Sequence, residues 1–428
     1  MINVYHALLY LAAPVVLARL VLRGRRSPEY LKRWGERFGR VPDGAGPADV
    51  WLHAVSVGEA RAALPLINAL RKPPYHLRLL VTTTTPTGSA QVQDALGGEV
   101  GHCYAPYDLP WVVRRFLDTV RPKLVLFMET ELWPNQILEC RRRGTPMLFI
   151  NARLSARSFN RYARYLASMM AEVLPQAAGF AAQSADDAER LRQLGAPPEK
   201  LRVTGNIKFD AKVPASLTEV GRVLRRQLGA ERPVWTAGST REGEETPVLE
   251  AYRRVRERFP AALLVVAPRH PERFGTVVRQ CRGAGFSVAL RSENKGAVSA
   301  DTDVFVCDTM GELTQFYAAS DIAFVGGSLV PTGGHNLLEP CALGVPVLFG
   351  PHTEHFAEIS RLVRERGAGL TVSDPETLAA AVVRLLTDAD ARFAMGEAGK
   401  RLIAENRGAL EKTLAFLDEV VPNLRSRG

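Results

Sequence analysis

Three carboxylates in this sequence stand where an apolar run breaks off. In "VWLHAVSVGEAR" the run ends at Ser56-Val57-Gly58-Glu59, and in "LVLFMETELWP" it ends at Glu129 and Glu131 beside Trp133. An acid so placed can take a proton from a substrate hydroxyl if its pKa is raised toward the working pH. It can also simply complement a helix dipole, contributing about 0.3–1 kcal/mol. Strand alternation would set Glu129 and Glu131 on one face, which is expensive unless the pair is hydrogen-bonded or functional. Lys208, in "LRVTGNIKFD", is a cation near mid-chain whose surroundings alone assign it no task.

A second group of residues suits phosphate and nucleoside. "VVAPRHPERF" ends an apolar run in Pro268-Arg269-His270, and an arginine there can grip phosphate through two bonds. "VFVCDTMGEL" ends in Asp308-Thr309-Met310-Gly311-Glu312, either exposed backbone for a base or ribose or an ordinary connecting turn. In "FVGGSLVPTGGHNLLEP" glycines lead into Gly333-Gly334-His335-Asn336, read as opening a helix whose free N–H groups favour an anion. Asn336 and Glu339 also have capping-box spacing, so a purely local role stays open. The sequence contains no G-x-G-x-x-G and no G-x-x-x-x-G-K-[ST], which disfavours dinucleotide oxidoreduction and P-loop chemistry. His352 and His355 lack a ligand set, so no structural metal is expected.

Each of these stretches reads as strand, turn, helix. "VWLHAV", "LRLLVTTTT", "KLVLFMETEL", "PMLFINARL" and "GFAAQS" alternate with helical patterns in the first half, and "PVWTAGST", "ALLVVAPRH", "VFVCDTMGEL", "IAFVGGSL" and "VPVLFGP" do so in the second. Such alternation implies parallel sheets covered by helices, and chemistry at the carboxyl ends of the strands. A chain of 428 residues exceeds what one core usually supports. Two doubly wound, Rossmann-like α/β domains facing across a cleft follow, with residues 25–212 as the first and 213–428 as the second, the last helices being free to pack back on the first.

Residues 1–24 read differently. From Val4 to Leu22 nearly every side chain is apolar, and as a helix this stretch reaches roughly 28 Å, the depth of a bilayer's hydrocarbon. No basic residue precedes it, so an uncleaved anchor is expected, not a signal peptide. From Arg19 through Arg40 come eight Lys or Arg against Glu29 and Glu36, which places the following body on the cytoplasmic side. Lying in the interface, with Arg19 reaching the headgroups, and burial as the first helix of the soluble domain are the alternatives to spanning. The net charge of +10 favours anionic partners. Five scattered cysteines, without a CxxC pair, fit reduced thiols.

"HAVSVGEA", "TTTTPTGS", "METELWPN", "NARLSARS", "GNIKFD", "APRHPERF", "CDTMGEL", "FVGGSLVPTGGHNLLEP" and "GPHTEHF", in this order, resemble the Kdo transferases of Gram-negative bacteria over essentially the whole chain. The resemblance implies a GT-B glycosyltransferase that moves 3-deoxy-manno-octulosonate (Kdo) from CMP-Kdo to a lipid A precursor in lipopolysaccharide inner-core synthesis. It implies inversion, no cofactor or catalytic metal, no nucleic acid, and work at the cytoplasmic face of the inner membrane. Glu59 then matches the general base, and Glu129 and Lys208 the groups that stabilise the transition state, with Glu131 close enough to compete. Pro268 and Arg269, Met310, Gly311 and Glu312, and Asn336, Leu337, Leu338 and Glu339 match the CMP-binding segments. Leu337 stands where the family has proline, which should loosen that turn slightly. The competing expectations are another GT-B transferase or an epimerase using a UDP-sugar, and a lipid-binding module without catalysis. An intact base argues against the last.

Overall fold

The computed structural model describes residues 2–26, 28–210, 214, 216–294, 296–422 and 424–425. It divides into two units, Met1–Ala211 with Asn406–Gly428, and Lys212–Glu405. The expected 212/213 boundary falls on residues 211–213, which lie outside the described residues, as do the side chains of Arg23 and Arg26 in the basic flank.

The first unit holds β1 (Val50–His53), β2 (Leu79–Thr83), β3 (Gly101–Tyr104), β4 (Leu124–Met128), β5 (Met147–Ala152), β6 (Gly179–Ala182) and β7 (Leu201–Val203). They form one parallel sheet in the order β3-β2-β1-β4-β5-β6-β7. The second holds β8 (Val234–Thr240), β9 (Leu263–Pro268), β10 (Val288–Leu290), β11 (Val304–Val306), β12 (Ile322–Val325), β13 (Val347–Phe349) and β14 (Gly369–Thr371). Their order, again all parallel, is β10-β11-β9-β8-β12-β13-β14. The expected α/β class with two Rossmann-like sheets is what the chain adopts. Helices cover both faces, so inner strands such as β1, β4 and β9 are buried along their full length.

Chain order reverses between β1 and β4 in the first sheet and between β8 and β12 in the second. At such switch points the loops after neighbouring strands diverge to opposite faces and leave a crevice at the carboxyl edge. The segments carrying Glu59 and Glu129 follow β1 and β4, and those carrying Arg241 and Gly326 follow β8 and β12.

The helix Ala389–Asn406 ends the second unit, and the helix Ala409–Val420 returns to the first. Its Phe416 and Leu417 join Val50, Leu52 and Ala181 in one core, and a Cβ on Gly179 would stand 2.6 Å from the Phe416 ring. Asp210 fastens the start of the helix by accepting the N–H groups of Gly408 (2.7 Å) and Leu410 (2.6 Å).

The N-terminal helix runs from Ile2 to Arg26. It is long and apolar enough to cross a membrane, and little of its apolar window is buried. Val4, Leu8, Leu11, Val15 and Leu22, at helical spacing, are exposed on one side. On the other, Tyr5 Oη donates to Asp108 (2.8 Å), His6 Nε2 donates to Asn135 Oδ1 (2.6 Å), and Leu20 is buried.

Candidate active site

Ser56 caps the helix Val57–Arg71, its Oγ accepting the N–H of Glu59 at 3.3 Å. The Glu59 carboxylate reaches back, accepting the Val55 N–H at 2.7 Å and the Ser56 hydroxyl at 3.1 Å. The local role weighed for Glu59 is therefore real, and it coincides with an unusual electrostatic setting. Burial first, and then the Glu129 carboxylate beside it, push the Glu59 pKa up to about 8, against the pull of the Val55 N–H. A helix cap chosen only for stability would be ionised and exposed; this one sits close to neutral pH.

The expectation that Glu129 and Glu131 share a strand face is overturned. β4 ends at Met128, and Glu129 takes a left-handed φ of 57°, where alternation no longer applies and a non-glycine residue is strained. The turn sends the two acids to different partners. Glu129 accepts Lys208 Nζ at 2.9 Å, whereas Glu131 accepts the Trp133 indole N–H at 2.6 Å. Burial raises the Glu131 pKa, and Glu129 adds to it. Thr130, between them, accepts the Arg153 N–H at 3.0 Å and donates to the Arg153 carbonyl.

Lys208 lies in the 3₁₀ turn Ile207–Asp210, held by amides that sequence reasoning passed over. Asn151 Oδ1 accepts the Ile207 N–H (3.0 Å), Asn206 Oδ1 accepts the Lys208 N–H (3.0 Å), and Gln183 bridges them by accepting from Asn206 (3.0 Å) and donating to the Asn151 carbonyl (2.9 Å). The charges around Glu59 yield two shifts of opposite sign. Glu129→Gln should lower the Glu59 pKa and move the pH–rate profile acidward, while Lys208→Ala should leave Glu129 unpaired and move it alkaline. Profiles of kcat/KM for both variants check this, and shifts in the same direction would sink it.

In the second unit the donor-type segments lie on one edge of the sheet. Pro268 closes β9, and the Arg269 N–H donates to the Thr240 carbonyl at 3.1 Å. Arg241, after β8, donates Nε to His335 at 3.3 Å and also donates to His270. Burial first, then Arg241 and Arg269, drive the His335 pKa down to about 3, so the ring is neutral and accepts. Met310 is exposed, Gly311 takes a φ of +84°, and Glu312 precedes the helix Leu313–Ala318 with its carboxylate on Arg291 at 2.8 Å.

The helix expected to open at Gly333 to Asn336 starts later. Gly333 and Gly334 are left-handed, and the helix begins only at Leu338 and ends at Leu343. Asn336 Oδ1 accepts the Leu338 N–H and its amide donates to Glu339, both at 3.1 Å, while Leu337 is buried. The N–H groups earlier in the glycine loop are already taken. Glu244 Oε2 accepts from Gly327 (2.6 Å) and Arg241 (2.9 Å), and Oε1 from Ser328 (2.9 Å) and Leu329 (2.8 Å). Glu244 is fully buried: the chain supplies its own anion there. A Cβ on Gly326 would stand 2.8 Å from that carboxylate. Neither Arg241 nor Glu244 was singled out in the sequence, although "GSTREGEE" follows a strand run directly and carries both.

Residues 32–211 match the family model described as 3-Deoxy-D-manno-octulosonic-acid transferase (kdotransferase), and residues 247–402 match Glycosyl transferases group 1. The chain is 42% identical to the 3-deoxy-D-manno-octulosonic acid transferase of Haemophilus influenzae, over 96% of this chain and 97% of that protein. The chain belongs to the Kdo transferase family. The Bordetella pertussis 3-deoxy-D-manno-octulosonic acid transferase is 38% identical over 97% of this chain and 99% of its own length. In fold alone, this Kdo transferase is similar to a UDP-GlcNAc 2-epimerase from Neisseria meningitidis, with a TM-score of 0.57 at 16% identity, over 86% of this chain and 99% of that one. It is thus a GT-B glycosyltransferase that transfers Kdo, and the UDP-sugar alternative is disfavoured.

Proposed function

We propose that this Kdo transferase takes Kdo from CMP-Kdo and delivers it to a lipid A precursor at the cytoplasmic face of the inner membrane. The observation that carries the reading is Glu59, its pKa raised to about 8 by burial and Glu129 at the first sheet's switch point, with Lys208 paired to Glu129. Glu59 accepts the proton of the acceptor hydroxyl, the hydroxyl oxygen bonds to the anomeric carbon, and the bond from that carbon to the CMP phosphate breaks with its electron pair leaving on CMP. Attack from the face opposite the leaving group inverts the centre. Glu129 and Lys208 stabilise the charge that develops on the sugar, and Arg269, joined by Arg241, meets the leaving phosphate. Met310, Gly311 and Glu312 and the turn Asn336 to Glu339 hold the rest of CMP. Mass spectrometry of products from a lipid A precursor offered CMP-Kdo or UDP-sugars tests the reading; transfer from a UDP-sugar alone would reverse it.

Arg269→Ala should weaken CMP-Kdo binding by the worth of a charge-assisted bond, about 1.5–3 kcal/mol, with acceptor affinity unchanged. Calorimetric titration with each substrate measures this, and equal losses for both would remove Arg269 from the donor site.

The N-terminal helix is best read as lying along the membrane surface. Tyr5 and His6, near the start of the helix, bond Asp108 and Asn135 of the first unit, and the chain leaves the helix toward that unit at Arg26, roughly 30 Å further along. A spanning helix would carry its start to the far side of the bilayer, away from Asp108 and Asn135. The exposed stripe from Val4 to Leu22 enters the acyl boundary, and the basic flank meets anionic headgroups. Deleting residues 1–22 should shift the enzyme to the soluble fraction with CMP-Kdo binding retained. A truncated protein that stays on membranes, or one that no longer binds donor, would refute this.

A further inference from the structure

The helix Ala156–Tyr165, ARSFNRYARY, follows β5 and contains no acid. Phe159 and Tyr162, with Leu166 just beyond the helix, pack inward on the first sheet's core. Half a turn round, Arg157, Arg161 and Arg164 are exposed, a row of three guanidiniums about 10 Å long. Several surface arginines of the chain have acids opposite them, as Arg192 has Glu189, Arg361 has Glu365 and Arg254 has Glu376. Among the described residues no ion pair neutralises Arg157, Arg161 or Arg164; Arg161 and Arg164 lie over the rings of Tyr162 and Tyr165 instead. Like charges at i, i+4 and i+7 repel, so this row gains most from an anion that bridges it, and the planar fork of arginine fits phosphate oxygens two at a time.

Its position narrows the source of that anion. The helix is rooted at Arg153, whose backbone exchanges two hydrogen bonds with Thr130, the residue between Glu129 and Glu131. The turn that carries the acids and the root of the arginine helix are therefore stitched together. Tyr5 of the N-terminal helix packs into the same core as Tyr162, so the row also adjoins the element assigned to the membrane.

We propose that Arg157, Arg161 and Arg164 form a phosphate site for the headgroup of the lipid acceptor, holding it while Glu59 acts on its sugar hydroxyl. This rests on the acceptor assigned above. The test compares the wild-type enzyme, the triple variant Arg157→Gln/Arg161→Gln/Arg164→Gln and the corresponding triple Lys variant, each with a phosphorylated lipid A precursor in neutral detergent and with the same lipid after enzymatic removal of its phosphates. The Gln variant should melt normally and show an acceptor KM raised about tenfold or more, with the CMP-Kdo KM unmoved and the Lys variant in between. On the dephosphorylated lipid the wild-type KM should rise to meet that of the Gln variant. An unchanged acceptor KM, accompanied by weaker binding to phosphatidylglycerol vesicles, would reassign the row to bulk lipid and overturn the proposal. An equal loss on both lipids would show a structural effect and overturn it too. If the wild-type enzyme transfers no Kdo to the precursor in either form, the acceptor assignment itself fails, and the row's role with it.

Discussion

Glu59→Gln should cut turnover by about 10²–10⁴-fold, the usual contribution of a general base, while CMP-Kdo affinity stays unchanged. The amide keeps the shape of the carboxylate and can still accept the Val55 N–H, now bonded to Glu59 at 2.7 Å, but it cannot take a proton. The pH dependence separates chemistry from capping. A base with a pKa of about 8 makes the wild-type single-turnover rate rise with pH through that value and then level, and the variant loses this limb. Stability moves the other way. Because the folded pKa lies above the ordinary value of 4.5, the folded enzyme binds the extra proton, and stability falls as pH rises from there through about 8. Gln has no such titration, so the variant should melt below or level with the wild type at pH 5 and gain on it by pH 8. A helix cap alone predicts near-normal turnover and a loss of about 0.5–2 kcal/mol, with no crossing of the melting curves against pH.

Glu244→Gln should destabilise the second unit by roughly 3–5 kcal/mol, the range for breaking a buried charged network, and weaken CMP-Kdo binding with it. The four N–H groups on this carboxylate come from Arg241, Gly327, Ser328 and Leu329. Gln offers one acceptor oxygen and turns an NH₂ toward two of those donors, so two charge-assisted bonds vanish and two buried N–H groups are orphaned. The loop they belong to sits beside His335, which accepts from Arg241, and Arg241 joins Arg269 in the proposed phosphate contact. Urea unfolding of the full chain with CMP-Kdo titration measures both effects, and Glu242→Gln, at an exposed neighbour, should change neither. An unfolding midpoint for Glu244→Gln equal to that of the wild type would show that the loop is held by something else.

What could be read directly from the residues was what burial on both faces imposes locally. Inner strands of a helix-covered parallel sheet are apolar throughout, so β1, β2, β4, β5, β6, β8, β9, β11, β12 and β13 stood out as runs. Ser56 with Glu59, and the apolar stretch Val4 to Leu22, were legible for the same reason, because a cap and an exposed apolar helix each write their signature within one segment. The strands that escaped, β3, β7, β10 and β14, are the four sheet edges. An edge has one neighbour and a partly solvated face, so a piece such as Leu201-Arg202-Val203 needs no apolar run. Strand order was the larger decision left to tertiary structure. Placing β4 against β1 sets Glu129 beside Glu59, and the return of β7 and its turn brings Lys208 onto Glu129 across 79 positions of chain, a pairing no local pattern encodes. The glycine loop shows the same limit: nothing in its composition tells that the N–H groups of Gly327, Ser328 and Leu329 go to Glu244, 83, 84 and 85 positions away.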